Sequence, residues 1–274
     1  MPELPEVETV RKTLELKLKN KKIKSINILY HGIFADANIE KICNDIKEET
    51  INNILRKGKW LIFELDHYYL LSHLRMEGKY LYRDFKDKIT KHEHVIFNIA
   101  DEFELRYQDT RKFGKMHLIK KSDIGNEDSP ISKLGLEPWD DNLTVNYLTE
   151  KFKNKRTAIK TILLDQTIIS GIGNIYANEI LFLSKINPHK ESGKLTSKEK
   201  NNIIINTRDV LSIAIEMGGT TIRSYTSQEG VTGLFQQDLY VQDRENEPCK
   251  VCKTNIVREK LNGRSAFYCP NCQK

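Results

Sequence analysis

From residue 6 to residue 19 the apolar side chains Val7, Val10, Leu14 and Leu18 fall at three- and four-residue steps. That period is the one-sided stripe of an amphipathic helix, so a helix is predicted almost at the start of the chain. From about residue 23 to residue 120 the period shortens to two. Leu61, Phe63 and Leu65 alternate with Glu64; Val95, Phe97 and Ile99 alternate with Asn98; Phe103, Leu105 and Tyr107 alternate with Glu104 and Arg106. Alternation over short runs marks strands with one face buried, and several such strands point to a sandwich or barrel.

Between Asp123 and Pro138 the pattern breaks down around Gly125, Pro130, Gly135 and Pro138, the residues of a linker. Beyond it the period is helical. Thr196 and Glu199 form a capping box ahead of a long helix through Val210, Leu211 and Ile215, which Gly218-Gly219 ends. A second helix follows Asn174, with Ala177, Ile180, Leu181 and Ser184 on its spacing. Near the end, Asn262-Gly263 between two short apolar runs predicts a hairpin with a tight turn. The pattern alone draws an N-terminal β domain, a helical middle and a C-terminal hairpin.

Hydrophobic residues make up 39% of the 274 and charged residues 30%, the balance of a globular chain and not a disordered one. No run approaches the roughly 20 apolar residues of a membrane span. Glu3, Glu6 and Glu8 stand where a secretory signal needs basic residues, so a cytoplasmic location is expected. The net charge of +6 matters less than its distribution. Lys151, Lys153, Lys155, Arg156 and Lys160 lie in ten residues without an acid, and residues 249–274 hold six basic residues against Glu259. Such clusters suit a polyanion, and they equally suit a solvated basic face.

Four of the five cysteines fall in the last 26 residues, as Cys249-x2-Cys252 and Cys269-x2-Cys272. Two short knuckles converging on one tetrahedral ion have this spacing; two disulfides or a redox pair are the alternatives. A closed four-thiolate site leaves no open position for water, so the expected Zn2+ is structural, one ion per chain. Cys43 stands apart and reads as an apolar filler.

The opening Met1-Pro2-Glu3-Leu4-Pro5-Glu6 has two readings. Proline and acids suit a helix start. Removal of Met1 also exposes the secondary amine of Pro2, and an α-amine titrates near 7.7–8.0, low enough to supply free nucleophile at neutral pH. Glu3 beside it suits proton transfer.

The opening Pro2-Glu3-Leu4-Pro5-Glu6-Val7-Glu8-Thr9, the terminal finger and the motifs between them resemble formamidopyrimidine-DNA glycosylases over the whole chain. These are bacterial enzymes that remove 8-oxoguanine and ring-opened purines. The resemblance implies Pro2 as nucleophile, Glu3 in proton transfer, Lys59 assisting excision and elimination, and Arg264 gripping phosphate beside the lesion. It implies Met76, Arg111 and Phe113 as the wedge that fills the gap left by the flipped nucleotide, Arg111 also facing the orphaned cytosine. His92, Arg156, Lys160, Asn174 and Tyr240 are the implied DNA contacts. The Gly171–Ala177 turn matches a helix–two-turn–helix element whose backbone N–H groups meet an anion. The stretch from Gly218 to Tyr225 resembles a loop that closes over the damaged base. Taken singly, Lys59 reads as a surface lysine, and Met76 and Phe113 as core.

The expected fold is α+β with two domains: a catalytic β-sandwich over 1–125, a linker over 126–140, a helical DNA-binding part over 141–230 and a zinc finger over 231–274. The expected partner is damaged double-stranded DNA, bound by a monomer with no membrane contact. Thr110 and Arg75 depart from the family pattern, where proline and a small residue are usual, and bear on the wedge loop. Two other readings stay open: an endonuclease VIII-like enzyme for oxidised pyrimidines, and a non-catalytic zinc protein that binds damaged DNA.

Overall fold

The computed structural model describes residues 1–35, 38–99, 103–220 and 234–274. Among these the chain divides into two compact units. One holds Met1–Pro2 and Glu6–Lys133, the other Glu3–Pro5, Leu134–Thr220 and Leu234–Lys274.

In the first unit helix α1 (Leu4–Leu18) leads into β1 (Lys21–Ile28), α2 (Ile39–Ile46), β2 (Thr50–Ile51), β3 (Asn53–Lys57), β4 (Trp60–Glu64), β5 (Tyr68–His73), β6 (Lys79–Asp84), β7 (Glu93–Ile99), β8 (Phe103–Gln108) and β9 (Lys115–Lys120). They form two antiparallel sheets, in the orders β2-β1-β7-β8-β6 and β3-β4-β5-β9. A single apolar cluster takes Ile26, Phe97 and Leu105 from the first sheet, Ile54, Phe63 and Met116 from the second, and Val10 and Leu14 from α1. Both sheets thus bury one face in a shared core, and the helix stripe read from the sequence is the side of α1 that joins it.

Alternation of burial fails in several strands, β4 and β8 among them. Four successive residues of β4, Trp60 to Phe63, are buried, as in a strand covered on both faces. In β8 Arg106 lies inside and Phe103 outside, against the alternation. Arg106 is 1% exposed, yet its guanidinium meets Glu93 at 3.1 Å and Glu104 at 2.7 Å and donates to the carbonyl of Asp87 at 2.8 Å. Five donors facing this many acceptors make the burial of a charge tolerable. Phe103, on the outer side, stacks on Tyr82.

The second unit contains α3 (Val145–Phe152), α4 (Ile159–Leu163), α5 (Asn174–Leu183), α6 (Ser197–Glu216) and the hairpin β10 (Val257–Leu261) and β11 (Arg264–Tyr268). The capping box at α6 is formed in both directions between Thr196 and Glu199. Gly218 and Gly219 follow with φ of 76° and 81°, the left-handed exit expected of them. The end of α6 is tied by backbone bonds from Leu234 to Met217 and from Phe235 to Gly219. Thr221 to Tyr225, the rest of the expected capping loop, lie outside the described residues. The hairpin pairs Leu261 with Arg264 across Asn262 (φ 47°) and Gly263 (φ 80°), a two-residue turn with both φ positive. Among the described residues no helix is long and apolar enough to cross a membrane.

Candidate active site

Helix α5 starts without a side-chain cap from its own N-terminal flank. Its first N–H groups are instead met by Glu3. One carboxylate oxygen accepts from Gly173 N at 2.7 Å and Tyr176 N at 3.4 Å, and the other from Ile175 N at 2.9 Å. A helix N-terminus is an anion site, because unpaired N–H groups and the helix dipole both point at it. The glycine turn was expected to offer these groups to phosphate; in the fold they are taken by the protein's own carboxylate. Position 173 has to be glycine for this approach, since a Cβ there would overlap the Glu3 carboxyl group. Leu4 N donates to Gly171 O at 3.1 Å, and the Leu4 side chain packs where a Cβ of Gly171 would lie. Residues 3 and 4 are therefore clamped to the turn before α5, and Pro2 is one peptide bond away.

Lys160, on α4, is a buried lysine and not a surface one. It is 1% exposed, and its ammonium donates to the carbonyl of Ser265 on β11. Burial pushes its pKa down to about 8, against the attraction of Glu3 and with the repulsion of Arg264. Those two influences place Glu3, Lys160 and Arg264 in one electrostatic neighbourhood. Arg264 opens β11 and is exposed, and the hairpin tip is held to α4 by Asn262 Nδ2 donating to Thr161 Oγ1 at 2.9 Å.

A lysine whose folded pKa lies below its unfolded value near 10.4 binds fewer protons folded than unfolded between about pH 8 and that value. Stability therefore rises with pH across this window. The urea midpoint of the wild type minus that of Lys160→Met is expected to increase from pH 8 to pH 10. A difference that stays flat or falls would show Lys160 to be an ordinary charged lysine.

Asn174 is the first residue of α5, and its buried Oδ1 has no hydrogen-bond partner among the described residues. Arg156 is exposed ahead of α4. Tyr240 stacks on Phe182 of α5 at 5.1 Å, with the Lys250 ammonium over its ring.

In the first unit, Lys59 lies in the two-residue turn that joins β3 to β4, since Lys57 pairs with Trp60. It is 5% exposed, which overturns the surface reading. The strand leading into the turn is held to α1: Arg56 pairs with Glu8 at 3.0 Å and donates to Gly58 O at 3.1 Å. His73, at the end of β5, faces Trp60 edge-on at 4.8 Å. Burial, with Arg75 and Lys59 adding, lowers its pKa to about 3, so it is neutral at physiological pH. Its Nδ1 accepts from Arg75 N at 3.0 Å and secures a residue at φ 54°.

Met76 and Phe113 are not core residues. They are 37% and 49% exposed, on turns after β5 and β8. Arg111 is exposed, with its guanidinium 4.6 Å from the centre of the Phe113 ring. This second turn is organised by Asp109, whose carboxylate accepts from Arg111 N at 3.0 Å, Phe113 N at 2.9 Å and Gly114 N at 2.8 Å. The Asp109 carbonyl meets His94 Nε2 at 2.7 Å, and its N–H donates to the carbonyl of His92. His92, half-buried, thus helps brace the turn.

Sequence reasoning gave Asp109 no role. It also passed over Glu179, 1% exposed in α5, whose carboxylate accepts from the N–H groups of Tyr240, Val241 and Gln242 at 2.7 to 3.0 Å. Beside it Asn178 Nδ2 donates to Gln242 Oε1 at 2.7 Å. Together they fasten the chain that leads into the finger. The visible signal was an Asn-Glu pair inside the otherwise apolar run Ile175–Leu183.

The four finger cysteines bring one sulfur each to within 4.8 Å of the others, Cys249 to Cys272 at 3.9 Å and Cys252 to Cys269 at 3.4 Å. None is disulfide-bonded. Tetrahedral zinc with bonds of about 2.3 Å needs sulfurs about 3.8 Å apart. The set fits one structural zinc ion, with no ligand position left open.

Three family models match along the chain: the formamidopyrimidine-DNA glycosylase N-terminal domain at residues 1–116, the H2TH domain of the same enzymes at 134–226, and the zinc finger found in FPG and IleRS at 246–274. The formamidopyrimidine-DNA glycosylase of Oceanobacillus iheyensis is 45% identical over 276 residues, covering 100% of this chain and 98% of that protein. The chain belongs to the formamidopyrimidine-DNA glycosylase family. Solved members of the family share its fold. Lactococcus lactis Fpg in complex with DNA containing N7-benzyl-Fapy-dG is 38% identical with a TM-score of 0.93, covering 100% of both chains. The same enzyme with abasic-site DNA gives 38% and 0.93 over 99% of each chain. In family terms, the glycine turn and α5 lie within the matched H2TH segment, and the hairpin within the matched zinc finger.

Proposed function

We propose that the protein is a base-excision DNA glycosylase and abasic-site lyase that removes oxidised purines, 8-oxoguanine and formamidopyrimidines among them, from double-stranded DNA. Membership of the family supports the glycosylase activity. The geometry adds one observation that carries the chemistry: the residue next to Pro2 is a carboxylate fixed by three backbone N–H groups, so the chain start is held at a defined place.

With Met1 removed, the Pro2 amine attacks C1′ of the damaged nucleotide. The glycosidic bond breaks, the base departs with a proton, and ring opening of the sugar leaves an iminium to Pro2. Glu3, the carboxyl group next to Pro2, takes up and returns protons at the sugar. Loss of a C2′ proton then expels the 3′ phosphate by β-elimination. A second elimination expels the 5′ phosphate and nicks the strand on both sides. Lys59 assists excision and elimination, and Arg264 grips the phosphate that leaves. Met76, Arg111 and Phe113 fill the space vacated by the flipped nucleotide, with Arg111 facing the orphaned base. His92, Arg156, Asn174 and Tyr240 hold the DNA, with Lys160, buried on the Ser265 carbonyl, adding its charge beside Arg264. Zinc on Cys249, Cys252, Cys269 and Cys272 supplies folding energy to the hairpin that carries Arg264. The protein acts as a monomer in the cytoplasm, with the β-sandwich, linker, helical and finger boundaries read from the sequence.

Borohydride reduces the iminium to a stable amine, so it should trap the protein covalently on duplex containing 8-oxoguanine opposite cytosine. Trapping on that duplex is expected to exceed trapping on thymine glycol duplex at least about tenfold, a difference of about 1.4 kcal/mol in the transition state. The reverse order would make the protein an oxidised-pyrimidine enzyme. No trapping on either, with binding intact, would leave a damage-binding protein.

A further inference from the structure

The two turns that carry Met76 and Phe113 are separate in sequence, yet one buried side chain touches both. Tyr107 lies near the end of β8, fully buried, its ring edge-on to Tyr80 at 5.3 Å. Its hydroxyl occupies the point where a Cβ on Gly78 or on Gly114 would fall. Gly78 closes the Met76 turn, its N–H donating to Leu74 O at 3.0 Å. Gly114 closes the other turn, its N–H donating to Asp109 Oδ2 at 2.8 Å. The same Asp109 oxygen lies 3.5 Å from the Tyr107 hydroxyl. One phenol oxygen therefore sits against the backbone of both turns, and glycine at both positions is what admits it.

We propose that Tyr107 is a positioning residue that couples the two turns, so that Met76 and the Arg111–Phe113 pair enter the duplex as one rigid wedge. The proposal rests on the wedge role given to those residues above. Close packing makes such a joint effective: neighbours in a dense interior cannot shift independently without opening a void or a clash. Burial raises the Tyr107 pKa far above neutrality, so the hydroxyl stays a donor toward Asp109. Tyr107→Phe keeps the ring and removes only the oxygen that both turns touch.

The test is a double-mutant cycle on excision from 8-oxoguanine duplex, with Met76→Ala and Phe113→Ala made in the wild type and again in Tyr107→Phe. In the wild type the double mutant should lose at least about fivefold less than the product of the two single losses, because either truncation already spoils a shared wedge. In Tyr107→Phe the losses should multiply to within about twofold. Gly114→Ala, whose Cβ would overlap the same hydroxyl and otherwise meets only the Asp109 carboxylate, should uncouple the pair in the same way and serves if Tyr107→Phe folds poorly. Strand cleavage at an abasic site in single-stranded DNA, where there is no gap to fill, should change by less than about threefold in either variant. Equal coupling with and without the hydroxyl overturns the proposal, as does a parallel loss of single-strand cleavage, which marks general damage. Failure of the wild type to cleave or trap overturns the functional reading itself, a separate result.

Discussion

Adding one residue ahead of Pro2 is expected to abolish borohydride trapping on 8-oxoguanine duplex, lowering it at least about a thousandfold, while duplex affinity stays within about threefold. The extension turns a secondary amine into an amide, which has no basic lone pair to attack C1′. It changes neither the Glu3 carboxylate nor the three N–H groups that hold it. The wedge turns and the α5 turn stay as they are, so binding persists. Parallel trapping and gel-shift measurements check this. An extended protein that still traps at near wild-type rate would place the nucleophile on another amine, with Lys59 and Lys160 the first to examine, since both are buried.

Removing zinc is the second change of large effect. Among the described residues the finger core has Phe182, Val241, Cys249, Ile256, Phe267 and Cys269 as buried members, two of them candidate metal ligands. So small a cluster does not hold a hairpin by itself, and zinc binding contributes about 10–16 kcal/mol in apparent terms to modules of this kind. Cys272→Ser, or a strong chelator, should release the ion, expose residues 249–274 to protease and lower strand cleavage at least about a hundredfold. The loss comes from placement, since Arg264 and the Ser265 carbonyl that holds Lys160 both lie on β11. The first unit should keep its protease resistance. Metal-free protein with a protected hairpin and full cleavage would remove zinc from the account.

What could be read in advance was local or carried by family resemblance. The cysteine spacing, the Asn-Gly turn and the Thr196–Glu199 box each specify a geometry within a few residues, and each is formed. Strand count and period pointed to a sandwich or barrel, and the first unit has two sheets over a shared core. Contacts between distant positions leave no period. Nothing near residue 3 announces a partner 170 positions later, and nothing near Gly173 announces a carboxylate. Arg106 is buried because, besides Glu104 on its own strand, its partners Glu93 and the carbonyls before β7 lie on other segments. Asp109 and Tyr107 were in plain view beside the wedge motif. Their role is to brace backbone, which residue type alone does not reveal.

The clamp on residue 3 also bears on how the chain matures. Pro2 is buried in the folded protein, so an aminopeptidase has poor access to the Met1–Pro2 bond once folding is complete. The groups that seize residue 3 emerge from the ribosome about 170 residues after it. At roughly 5–20 residues per second, the leading end stays loose for about ten to thirty seconds of translation. If Pro2 is the nucleophile proposed above, Met1 is best removed before α5 is made and seizes residue 3.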